Sequence, residues 1–158
     1  MKHLGLSIRD GVVFGLIGGA FGIVVLAGAV YIAREYPLSQ FSSLTGTVLS
    51  FLIFGSAGRK IAIATRSTTV AWQTGAIAGG VSELMRTAAI SLILSFSPAG
   101  QAAFNHLSAA AQHAAYDPVT QISNLAIYLG AGIVFGGLAA WLGAWSLLRF
   151  GPPGAPEA

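Results

Sequence analysis

The stretch "SELMR" sets an acid and a base three residues apart, Glu83 and Arg86, inside one of the most apolar parts of the chain. From Val70 to Phe96 these are the two formally charged side chains, and Glu83 stands at the centre of the run. A spacing of i, i+3 lets a carboxylate reach a guanidinium on the same helix. An isolated charge at the middle of a bilayer costs between about 3 and 17 kcal/mol, depending on the method. Two chemistries fit such a pair. It can be polar glue that fixes helix register or docks a subunit, or it can serve an ion, a proton or an anionic ligand crossing the membrane. Glue is the favoured reading, because the two charges can neutralise each other. Pairing still leaves several guanidinium donors in need of acceptors. Ser82 and the hydroxyls Ser43, Thr47 and Ser50 of an earlier segment are the candidates. With Ser39 these last three form a stripe at three- and four-residue spacing. Such stripes more often bond across helices, or to their own preceding carbonyls, than line a pore.

Other constellations are weaker. His106 and His113 are about 10 Å apart along a helix, too far to share one ion. His113 and Asp117 have i, i+4 spacing, but Asp117 is better used as a helix cap before Pro118. With no histidine inside an apolar span, haem ligation across the membrane is not expected. The absence of cysteine removes disulfides, thiolate metal sites and thiol nucleophiles. "GAGIVFG" and "GGAFG" lie within apolar runs with no preceding strand, so they are not phosphate loops. No Ser/His/Asp arrangement or acid pair suggests hydrolysis. The expectation is a protein that is not an enzyme and carries no metal or cofactor.

Composition dictates what must hold these residues. The chain has 54% hydrophobic and 8% charged residues with a mean hydropathy of +0.74, far from the roughly 25% charge of soluble domains. A bilayer crossing needs about 20 largely apolar residues. Four segments meet or approach that length: about 11–33, 38–57, 70–96 and 124–148. The expected fold is an all-α integral membrane protein of four transmembrane helices, forming one domain over 1–150, with residues 151–158 a disordered Pro/Gly-rich tail. Although the net charge is +3, the basic residues are scattered between apolar spans, so nucleic acid is not an expected partner. They orient the spans instead. Lys2 and Arg9 precede the first, Arg59, Lys60 and Arg66 fill the loop after the second, and Arg149 follows the fourth. The 97–123 loop has neither Lys nor Arg. The positive-inside rule then places both termini in the cytoplasm, in a plasma or inner membrane.

The long outer loop should carry one short amphipathic helix between the third and fourth spans, capped by Ser97 with Pro98 at its first position. Phe104, Leu107, Ala111 and Ala114 would share its apolar face, and it should stop near Tyr116 because Pro118 disfavours helical geometry before it.

Small residues also recur on stripes: Gly11, Gly15, Gly18 and Gly22 in the first span, Gly75 and Gly79 in the third, and Gly132, Gly136 and Gly143 in the fourth. In lipid, helices associate through close packing across such residues. Most of this packing should lie within the chain's own bundle, with room left for one outward interface. At about 100° per residue, Glu83 and Arg86 fall on the Gly79 side of their helix, leaving Ile77, Val81, Leu84, Ala88 and Leu92 for lipid. The functional expectation is association, as an accessory or structural subunit of a larger membrane complex or as a homo-oligomer. A small transporter or channel using Glu83 and Arg86 is the alternative.

Overall fold

The computed structural model describes residues 2–32 and 40–150. The described residues are helical apart from short caps and turns, in the order α1 (Lys2–Ala27), α2 (Gln40–Thr65), α3 (Thr68–Phe96), α4 (Pro98–Asn105), α5 (Ala109–Tyr116) and α6 (Pro118–Phe150). A π-helical turn, Gly28–Ile32, extends α1. Four helices are long and apolar enough to cross a membrane: His3–Ala27, Thr45–Thr65, Thr68–Ile93 and Pro118–Phe150. The molecule is an all-α membrane protein. The tail 151–158 lies outside the described residues.

The helices overrun the expected spans at the end that carries the basic residues. Here α1 begins at Lys2, and α2 continues through Arg59 and Lys60 to Thr65. The loop expected to hold three basic residues therefore shrinks to a corner of Arg66 and Ser67. Arg66 adopts a left-handed φ of 52° and its N–H bonds the Ala62 carbonyl, closing α2. Ser67 then caps α3 by accepting from the Val70 N–H. At the opposite end the single expected amphipathic helix is two. The chain breaks at His106–Leu107, because the Ser108 side chain caps a new helix by accepting from Ala111 N–H. Gln112 Nε2 folds back to the Phe104 and Leu107 carbonyls across the break. Asp117 starts α6 as expected, accepting from both the N–H and the hydroxyl of Thr120.

Packing follows the ring α1–α3–α6–α2, with α1 and α6 at opposite corners. Parallel neighbours α1 and α3 mesh at four-residue steps, Gly11 against Ile77, Gly15 against Val81 and Gly19 against Met85. Antiparallel α3 and α6 meet backbone to backbone. A Cβ on Gly75 would collide with the Gly136 carbonyl, and one on Gly79 with that of Gly132. Between α2 and α6, Gly58 abuts Ala140 and Gly143 abuts the Gly55 carbonyl. Ile77 and Val81 are thus not on the lipid face: they fill the grooves left by α1's glycines, while Leu84, Ala88 and Leu92 are exposed. The reason is that α3 has a helix on each side, so two of its faces are covered.

Candidate functional site

Burial is uneven along the bundle. On α3 the buried positions run from Ala71 to Ser82, and no described residue of that helix beyond Ser82 is buried. On α6 none is buried before Gly136, and on α2 no described side chain is buried before Phe54. Phe54, Ala78 and Ala139 pack together, with Phe14 and Phe135 against them. From there to the basic end the core is filled by Ile61, Ala62, Ala71 and Ala144. Toward the other end α1 still buries Leu26 and Val30. Its Tyr31 hydroxyl donates to Ser97 Oγ at 2.8 Å. In α6, by contrast, residues 121–128 are exposed on every face. Among the described residues the bundle is closed over its basic half and parted from α6 over the other.

Glu83 and Arg86 are the first charged residues past the closed half. Arg86 Nη1 lies 3.4 Å from Glu83 Oε1, with 29% and 20% of the two side chains exposed. That separation is an ion pair longer than a good hydrogen bond. The Glu83 stem covers Gly132 of α6, in the space a Cβ there would need. Arg86 runs beside Gly22 of α1, its Cδ 3.7 Å from where a Cβ would stand. The acid and base therefore share α3 but lean toward different neighbours, and glycine on each neighbour gives them room. Ser82, one residue before, is buried and sits behind Gly18 and Phe54.

Of the expected acceptors for Arg86, Ser82 and Ser50 make no hydrogen bond to it among the described residues. Ser50 is half-buried, while Thr47 is exposed and engaged in a contact of its own. The Ser43 side chain and Ser39 lie outside what is described. The nine glycines named from sequence are placed as follows. Gly11, Gly15 and Gly18 face α3 or Phe54, Gly22 faces Arg86, Gly75 and Gly79 face α6, Gly132 and Gly136 face α3, and Gly143 faces α2. All nine point within the chain's own bundle.

A second polar cluster, at the basic end, gathers Arg9 and Lys60, read from sequence as orienting charges, around Asp10, which is not among the residues singled out from sequence. Asp10 is 2% exposed. Lys60 Nζ of α2 lies 2.8 Å from its Oδ2, and Arg9 Nε donates to its Oδ1 at 3.1 Å. One turn away, Ser7 and Thr74, both fully buried, share a hydrogen bond of 3.0 Å between α1 and α3. Lys60 also stands 5.6 Å from the centre of the Phe14 ring. A signal for this cluster does exist in the pattern. Ser7 and Asp10 fall on the same helical stripe as Gly11 and Gly18, so polar groups there have to meet another helix. Charge counting alone treats this segment as a topology signal. Among the described residues no group of three or more His, Asp or Glu side chains could hold a metal ion.

Comparison with protein-family models, with curated proteins and with solved structures finds no match to this chain.

Proposed function

We propose that the chain is a small membrane transporter or channel whose Glu83 and Arg86 contact the passing ion or anionic solute. One observation carries this reading: the closed core ends at Phe54, Ser82 and Gly136, and the next residues beyond it are an acid and a base held apart at 3.4 Å and partly exposed. Burial costs charges used purely as glue their hydration, which close pairing and hydrogen bonds to every remaining donor and acceptor must offset. These two are neither tightly paired nor fully buried, and charges at membrane depth that face an opening mark ion and substrate paths. The basic end faces the cytoplasm by its charge, so the parted half opens outward and Phe54 with the helix contacts below it forms the barrier.

The test uses the purified full chain in proteoliposomes, with trapped pH- and halide-sensitive dyes reporting proton and chloride flux under an imposed potential. Wild type should carry at least one of these above empty vesicles. The double change Glu83→Gln, Arg86→Met should reduce that flux by roughly tenfold or more while the protein still incorporates and melts normally. The variant Glu83→Cys, in this otherwise cysteine-free chain, should react with a membrane-impermeant thiol reagent added from outside. No flux above background, together with no labelling of that variant, would overturn the reading.

A second reading, an accessory subunit or homo-oligomer, is favoured by the outer half of α6. Val119, Ile122 and Ile127 are each about two-thirds exposed or more, and a partner helix laid there would also cover Glu83 and Arg86. It predicts that the introduced thiol is shielded from the reagent and that a stoichiometric partner or second copy copurifies.

A further inference from the structure

On the opposite face from the charge pair, α2 and α6 run parallel and touch at Gly55 and Gly143, where backbone approaches backbone. Beside this contact lies an open surface groove of about 410 Å³. Leu52 and Leu142 wall its apolar length, and Trp145 and Arg59 stand at its basic end. Its two hydroxyls are already committed to their own helices. Ser56 Oγ donates to the Leu52 carbonyl at 2.8 Å and Ser146 Oγ to the Gly143 carbonyl at 2.9 Å. Arg59 is exposed and has no acid or hydrogen-bond acceptor among the described residues. Arg149, one turn beyond Trp145, lies 5.3 Å from that ring and likewise has no acid partner among the described residues. The basic end of the groove thus carries Arg59 above an apolar channel, with Arg149 over the neighbouring Trp145 ring, and neither guanidinium faces an acid among the described residues.

We infer that this groove binds one anionic phospholipid, an acyl chain lying over Gly55 and Gly143 and the phosphate-bearing headgroup held by Arg59 and Arg149. The charge complementarity selects the occupant. A zwitterionic lipid brings an ammonium toward two arginines, whereas phosphatidylglycerol brings its phosphate with no cation beside it. Guanidinium groups form paired hydrogen bonds to phosphate oxygens, and basic pockets between helices on the cytoplasmic side are known headgroup sites. Fixed there, the lipid would clamp α2 to α6 at the level where the core is closed.

The full chain in neutral detergent would be titrated with dioleoylphosphatidylglycerol or dioleoylphosphatidylcholine, and bound lipid counted by native mass spectrometry. One phosphatidylglycerol should bind at least about fivefold more tightly than phosphatidylcholine. Arg59→Gln and Arg149→Gln should each reduce that preference by about twofold or more. Ser56→Phe, which fills the groove and leaves both arginines, should also abolish binding. Arg66→Gln, a cation at the same end but in the α2–α3 corner, should leave it intact. Equal binding of the two lipids, equal loss with Arg66→Gln, or displacement by millimolar inorganic phosphate would overturn the assignment. The last would reveal a bare anion site with no use for the chains.

Discussion

Asp10 and Lys60 differ in how far water reaches them, and that difference sets the outcome of removing either. The Asp10 side chain is 3% exposed, the Lys60 side chain 55%. Lys60→Met strands a carboxylate that burial has already stripped of water, leaving Arg9 as its remaining cation. The loss of stability should approach the about 3–5 kcal/mol typical of breaking one side of a buried pair. Asp10→Asn releases a lysine that returns to solvent, and should cost about 1 kcal/mol. Thermal unfolding in detergent orders the two variants, and the reverse order would mean that water reaches Asp10. Neither residue stands out in the sequence, because a lone acid beside an arginine at the edge of an apolar run resembles ordinary flanking charge. Glu83 and Arg86 do stand out, since nothing else charged lies within that span. What their spacing does not give is the neighbour each leans on, Gly132 for one and Gly22 for the other.

The existence and class of the four long helices are legible from runs of apolar residues, while their ends are not. Interfacial turns of α1 and α2 carry Lys and Arg that hydropathy counts as loop, yet their backbone bonds stay within the helix. The α4–α5 segment misleads for the opposite reason. Its helical periodicity runs unbroken through Leu107, but the Ser108 cap and the Gln112 side chain stabilise a break that periodicity cannot register. Its far end does have a checkable chemistry. Hydrogen bonds from the Thr120 hydroxyl and N–H hold the Asp117 carboxyl below its ordinary range. A depressed carboxylate contributes stability that is present above its unfolded pKa of about 3.9 and lost as pH falls through its lower folded value. The protection of the Thr120 amide relative to its intrinsic exchange rate should therefore fall as pH drops below about 3.9, and in Asp117→Asn that protection should no longer vary with pH. Among the crossing helices, Gly136→Leu drives a side chain into the Gly75 carbonyl and the Gly79 backbone. It should cost about 3 kcal/mol or more. Ala88→Leu, on an exposed face, should stay within about 0.5 kcal/mol of wild type. Comparable losses at the two positions would refute the packing assigned to α3.

At the scale of the whole molecule, the sequence offers stripes but no pairing between them. A small-residue face states that some backbone comes close, not which one, and the ring α1–α3–α6–α2 follows from fitting all four at once. The contrast in burial between the two halves is equally hidden, because covered and uncovered apolar residues of these helices have the same composition. The long-range contacts at the basic end, Asp10 to Lys60 and Ser7 to Thr74, carry a consequence for how the protein is made. A ribosome delivers Asp10 fifty residues before Lys60, and Ser7 longer still before Thr74. During that interval α1 holds a carboxylate and a hydroxyl on the face it will later bury, with Arg9 alone at hand. Emergence of α2 supplies the cation and emergence of α3 the hydroxyl. Each arrival removes one reason for α1 to stay near the headgroups, and the expected consequence is that polar residues order the docking of the first three helices in time. The small residues beneath, which need no partner to remain comfortable in lipid, can close afterward.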